Sequence, residues 1–327
     1  MNTKETNTDK SISKKKKKKG SAFLIVIIVI AAGVFCFAGF KLFTIWQGYH
    51  TSETSYDKIH ELLKEKTSDD SSSSGGAGSS GKGGSSDGSS SQDDAGEEED
   101  EDDDGDSLLK IEYEDEYDEG MYWNYDAMLA MNPDTIGYIK GRGSGLVVDL
   151  PIVQGTDNSH YLDYLFDGTA NAAGTPFMDC DNPKLFTAPY CIVYGHNMSY
   201  GMRMFGYLKQ YANDDSYYAG HTEYDIYALY KHYVYKVFAI YVSEQDALTY
   251  TSPLLYYADD MSDEDMDAAF RDLGEFALSN SIVNTGYQAS DLDHNSHIIC
   301  LSTCYGNYDN PLRYIVLLVR DRIVIER

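Results

Sequence analysis

His297-Ile298-Ile299-Cys300-Leu301-Ser302-Thr303-Cys304 reads as a β-strand that delivers a cysteine at its end. The next stretch, Tyr305-Gly306-Asn307-Tyr308-Asp309-Asn310-Pro311, is rich in turn formers. Arg313-Tyr314-Ile315-Val316-Leu317-Leu318-Val319 then predicts a returning strand. A hairpin of this form sets Cys304 and Arg313 near one another, each at the loop-facing end of its strand. A fixed cation lowers a thiol pKa and stabilises an oxyanion, so the pair points to nucleophilic chemistry.

Working outward, short β-type runs are expected over 135–139, 145–148, 151–153, 176–178, 190–194, 223–230 and 231–242. Helical spacing over 125–131 stops at Asn132-Pro133, and further helices are expected over 204–211 and 262–279. The last opens on Ser262-Asp263-Glu264-Asp265, a capping box with acidic first-turn residues. Many short strands with few helices imply a mainly β domain, a closed barrel or a sandwich carrying helical insertions. The 29 Tyr suit a half-buried β-rich core.

A cysteine nucleophile needs a proton partner for its leaving group. Tyr194-Gly195-His196-Asn197-Met198 puts a histidine just after a buried strand, and Ser199-Tyr200-Gly201 continues it as a loop. Position alone sets His196 only modestly ahead of His221, His232, His294 and His297. Of the five Cys, Cys36 lies in an apolar run. Cys180, Cys191, Cys300 and Cys304 are too scattered for a disulfide scaffold, and no CxxC or HxxxH spacing suggests zinc.

The N-terminal part has a different character. Residues 21–40, SAFLIVIIVIAAGVFCFAGF, are uncharged, and as a helix they span roughly 30 Å, the thickness of a hydrocarbon core. The run exceeds the apolar core of a cleaved signal peptide, and bulky Lys41-Leu42-Phe43 follows where a small-residue cleavage site would be. A retained anchor is therefore expected. The lysine block 14–19 predicts a cytoplasmic N-terminus and an exported remainder. The resulting order is a basic cytoplasmic tail (1–20), a transmembrane helix (21–43), a juxtamembrane polar helix (44–66), a disordered Ser/Gly/acidic tether (67–107) and a catalytic domain (108–327). The tether has almost no apolar residues and spans about 35 Å as a flexible chain. Asp100-x-Asp102-x-Asp104-Gly105 copies half of a calcium loop, but Ile111 stands where the closing Glu belongs, so it reads as a solvated acidic run. A net charge of -27 makes nucleic acid an unsuitable partner.

Several of these segments resemble class B sortases. Ile192-Val193-Tyr194-Gly195-His196-Asn197-Met198, followed by Met204-Phe205-Gly206-Tyr207-Leu208, is similar to their histidine region. Leu301-Ser302-Thr303-Cys304, with Arg313 after it, is similar to their cysteine and arginine strands. Asn132-Pro133-Asp134-Thr135-Ile136-Gly137-Tyr138-Ile139, Leu150-Pro151-Ile152-Val153-Gln154, and Asp157-Asn158 before Tyr161-Leu162 match upstream, so the resemblance covers about residues 122–320.

The resemblance implies a closed eight-stranded β-barrel in which His196, Cys304 and Arg313 share a groove. It implies a cysteine transpeptidase of Gram-positive bacteria that cleaves the C-terminal sorting signal, of Asn-Pro-x-Thr type, of an exported protein. The acyl group would pass from a Cys304 thioester to a cell-wall peptide amine, without metal or cofactor. Two departures stand out: Cys300 replaces the first Thr of the family's Thr-Leu-x-Thr-Cys, and the tether is longer than expected. No hydrophobic segment follows Arg327, which weighs against the pilus-polymerising class. The competing readings are a pilus polymerase, a cysteine hydrolase that releases its product to water, and a non-catalytic adhesion protein.

Overall fold

The computed structural model describes residues 7–63, 110–114, 123–145, 147–198, 204–244, 254, 260–306 and 310–326. The tether 67–107, with its calcium-loop-like fragment, lies outside the described residues. The chain divides into two compact units, Met1–Thr54 and Ser55–Arg327. A single helix, α1 (Asn7–Leu62), carries both the apolar span and the polar stretch after it. In the first unit its apolar side chains, among them Val29, Phe35, Phe37 and Leu42, are exposed. One described helix, Ile25–Leu62, is long and apolar enough to cross a membrane, with a mean hydropathy of 2.6 in its best window.

The second unit is built on β1 (Lys110–Glu114), α2 (Tyr125–Met131), β2 (Thr135–Gly141), β3 (Asp149–Val153), β4 (Phe177–Met178), β5 (Tyr190–Tyr194), β6 (Glu223–Ala228), β7 (Lys231–Glu244), α3 (Asp263–Asn280), β8 (Ile298–Cys304) and β9 (Leu312–Glu326). The strand order is β1-β9-β7-β6-β2-β3-β4-β5-β8, and β8 pairs back onto β9. Strands β2 to β9 therefore form the closed eight-stranded barrel expected from the sequence. β1, which the sequence did not reveal, is an addition: it runs parallel to Arg322–Glu326 of β9, beyond the point where β8 stops pairing at Val319.

Alternation along the strands sorts the core into two layers. On β8 and β9, Ile299, Leu301, Tyr314, Val316 and Leu318 join the large inner cluster. Ile298, Cys300, Ile315, Leu317 and Val319 face outward, where Phe270 and Ala277 of α3 cover them. α3 starts as its sequence predicts: the Ser262 side chain accepts from the Asp265 amide at 3.2 Å. α2 begins at the cap Asn124 and ends at Asn132, whose side chain then holds the Phe166 carbonyl at 2.9 Å.

One expectation is corrected. Residues 145, 147 and 148 are in no strand, because Gly143 and Gly145 adopt φ of 134° and 92° and turn the chain before β3. The end of the first helix packs with the barrel. Residues 55–63, assigned by sequence to the juxtamembrane helix, belong to the compact unit Ser55–Arg327, with Tyr56, Ile59 and Leu63 buried in its inner core. Their i, i+3, i+7 spacing marks one helix face, but nothing in so polar a stretch announced a partner for it.

Candidate active site

The register of three strands sets the geometry. Cys304 and Arg313 are directly paired on the antiparallel β8–β9 ladder. Facing residues on such a ladder have Cβ atoms roughly 4.5–5.5 Å apart and point to the same side. β5 runs parallel to β8 from Tyr190↔Ile298 to Tyr194↔Ser302. β5 ends there, and His196 follows two residues later on a loop that leaves the strand beside β8. Cys304 and Arg313 thus form one row across β8 and β9, near one another as the hairpin reading expected.

The histidine loop is stitched to the cysteine strand on both sides of His196. The Gly195 amide donates to the Ser302 carbonyl at 3.1 Å, and Thr303 Oγ1 donates to the Gly195 carbonyl at 2.7 Å. Asn197 Nδ2 donates to the Cys304 carbonyl at 2.7 Å. His196 Nε2 lies 2.9 Å from the Leu162 carbonyl. A carbonyl only accepts, so Nε2 carries the proton and Nδ1 is the basic nitrogen of the neutral ring. Arg313 is oriented by its own turn, donating from one terminal nitrogen to the Asn310 carbonyl at 3.2 Å and the Leu312 carbonyl at 3.1 Å.

This row is the open continuation of the outer face that α3 covers further along. One ladder step below it, Ser302, Ile315 and Tyr241 are paired across β8, β9 and β7. The Ser302 Oγ and Tyr241 hydroxyl are buried there and find no hydrogen-bond partner among the described residues. Buried polar groups without partners are costly, and Tyr241 is covered by the ring of Phe276 on α3.

The remaining thiols are poor nucleophiles. Burial pushes Cys191 and Cys300 up to about 12. Cys300, which departs from the family's Thr, is hydrogen-bonded by Tyr190 and lies in the outer core. Burial raises the half-exposed Cys180 as well, and Asp181 and Asp179 add to the shift. Cys304 is half-exposed and faces Arg313 on the β8–β9 ladder; all these cysteines are free. The competing histidines are held elsewhere: His221 by the Tyr217 and Ser144 carbonyls, His232 by Asp225, His294 by Asp267, His297 by the Ala188 carbonyl.

Sequence reasoning did not give Asn197, Thr303 or Leu162 a role. Asn197 and Thr303 lay inside motifs already singled out, but their contacts run between segments about a hundred residues apart. Leu162 acts through its carbonyl, which side-chain identity does not report.

Comparison with known proteins places the chain in context. No protein-family model matches it. It is 29% identical over 182 residues to sortase B of Listeria monocytogenes, covering 53% of this chain and 64% of that protein, so it spans less than two thirds of that relative's length. It is 26% identical over 196 residues to sortase B of Staphylococcus aureus, covering 60% of this chain and 73% of the relative. Among solved structures, Clostridium perfringens sortase B superposes with a TM-score of 0.50 at 26% identity, over 60% of this chain and 99% of that one. A Staphylococcus aureus sortase B–substrate complex is similar in fold, with a TM-score of 0.50 at 23% identity, over 61% of this chain and 84% of that one.

Proposed function

We propose that this chain, a homologue of the class B sortases, is a cysteine transpeptidase that joins an exported protein to a cell-wall peptide amine. The observation that supports this reading is the direct pairing of Cys304 with Arg313 on β8 and β9, next to the His196 loop that Gly195, Thr303 and Asn197 bond to β8. The Cys304 thiolate attacks the scissile carbonyl of a sorting signal of Asn-Pro-x-Thr type. The carbon–sulfur bond forms, and the oxyanion is met by the Arg313 guanidinium. As the carbon–nitrogen bond breaks, the leaving amine takes its proton from Nδ1 of the His196 imidazolium, since Nε2 is committed to Leu162. The acceptor amine then attacks the thioester, gives its proton to Nδ1, and releases Cys304 as thiolate.

In this reading the 21–43 segment is the membrane anchor, with the N-terminus cytoplasmic and the catalytic domain outside. The exposed apolar side chains of α1 support an anchor, and the lysine block 14–19 supports the orientation.

The test is a peptide carrying the sorting signal, incubated with the protein with and without an added oligoglycine amine. Amine-dependent product, a thioester adduct in mass spectrometry, and loss of both in Cys304→Ala with an unchanged melting temperature are expected. Equal product without amine would make the protein a hydrolase. Full activity in Cys304→Ala would remove the mechanism altogether.

A further inference from the structure

We infer that Tyr56, on the last turns of α1, is a positioning residue for the reacting groups, an inference that rests on the transpeptidase reading above. Tyr56 is buried, at 2% exposure. Its hydroxyl donates to the Gly174 carbonyl at 2.9 Å and lies 3.7 Å from the Met204 sulfur. Each of these neighbours leads in one step to the site.

Gly174 has φ of 64°, and its Cα packs so closely on the Tyr161 and Leu162 carbonyls that a Cβ would collide with them. The Leu162 carbonyl is the acceptor that orients His196. On the other side, Met204 forms an isolated β-bridge with Asn197, whose amide holds the Cys304 carbonyl. The loop between β3 and β4 is held by α1 at a second point, where the Ser55 hydroxyl donates to Asp167 at 2.9 Å. One phenol thus braces both the backbone that aims the histidine and the loop that is bonded to the nucleophile. Ile59, on the same helix face, fills the core without a polar contact to either path.

Catalysis is sensitive to such bracing, because a small displacement of a reacting group by a remote change costs up to about 100-fold in rate. Tyr56→Phe keeps the ring and removes only the hydroxyl. In the full chain, assayed well below the melting temperature, it is expected to lower kcat about tenfold with the peptide KM little changed. The hydrogen-bonded His196 Nε2 proton, followed by nitrogen-15 NMR, is expected to exchange faster with water. Ile59→Val is expected to lower the melting temperature slightly and leave kcat and that proton as they are.

Unchanged kcat and an unchanged imidazole proton in Tyr56→Phe overturn the inference. So do losses of turnover in both variants that simply follow their losses of stability. If Tyr56→Phe does not fold, Ser55→Ala replaces it; faster exchange of the His196 proton there supports the brace, and no change overturns it. The NMR readout is independent of substrate. A wild-type protein that forms no thioester, but whose His196 proton is loosened by Tyr56→Phe, would end the transpeptidase reading and leave the brace standing.

Discussion

Two regions of the barrel each carry a histidine and an arginine, and they are held in different ways. At one end of β6 and β7, the buried Asp225 carboxylate accepts from His232 Nε2 at 2.7 Å and from Arg142 at 2.7 and 2.8 Å. Arg322, Glu223, Lys236 and Asp321 extend that cluster. At the other place, His196 lies against the Leu162 carbonyl and Arg313 donates to the Asn310 and Leu312 carbonyls. A carboxylate neutralises the cation it binds, whereas a carbonyl orients a ring or a guanidinium without neutralising it. The comparison teaches that the chemistry of a His/Arg pair is decided by what holds it.

The sharpest break between the two is His196→Ala. It is expected to cut turnover about 1,000-fold, the scale of a lost general acid–base, with a melting temperature close to that of the wild type. A similar loss from His232→Ala in a folded protein would dissolve the distinction.

The converse substitution is Asp225→Asn, expected to destabilise the barrel by about 3 kcal/mol through loss of the buried charge that Arg142 and His232 share, with kcat per folded molecule retained. Its pH dependence has a defined sign. Burial alone would raise the Asp225 pKa, but hydrogen bonds from His232 and Arg142 outweigh it, and the net shift is downward. A depressed folded-state pKa gives stability that is full above the ordinary carboxylate range and is lost as pH falls through the folded value. Thermal melts of wild type and Asp225→Asn should therefore differ most near neutrality and converge in acid. A gap that widens below pH ~4 would reverse the assignment.

A smaller effect sharpens the catalytic side. Asn197→Ala removes the amide that holds the Cys304 carbonyl, and turnover is expected to fall about tenfold with little change in melting temperature. An unaltered kcat would mean that Gly195 and Thr303 alone hold the loop.

The sequence revealed some of this more readily than the rest. The β8–β9 hairpin was legible because local alternation, a turn-rich loop and a charged strand start coincide within two dozen residues. The position of His196 relative to Cys304 was not, because it depends on a parallel pairing between strands joined by a hundred residues of chain. Residues such as His232 carried no sign that Asp225 would claim them. Strand β9 extends past 319 to Glu326 although Arg320, Asp321 and Arg322 interrupt its apolar run, because Asp321 and Arg322 are met by Lys236 and Glu223. The helix end at Tyr56 was missed for a related reason: its partners, Gly174 and Met204, are distant in sequence and are met through a carbonyl and a sulfur.

Strand β9 touches β7, β8 and β1, and it follows every other element of the barrel. Until it docks, the ring is open and Cys304 has no Arg313 opposite it. Cys304 and Arg313 are only nine residues apart in the chain, so the thiol and the cation are made together and meet as soon as the β8–β9 hairpin forms. The β5–β8 pairing, between segments about a hundred residues apart, forms more slowly. Closure of the barrel thus sets when the histidine loop reaches a hairpin that is already made.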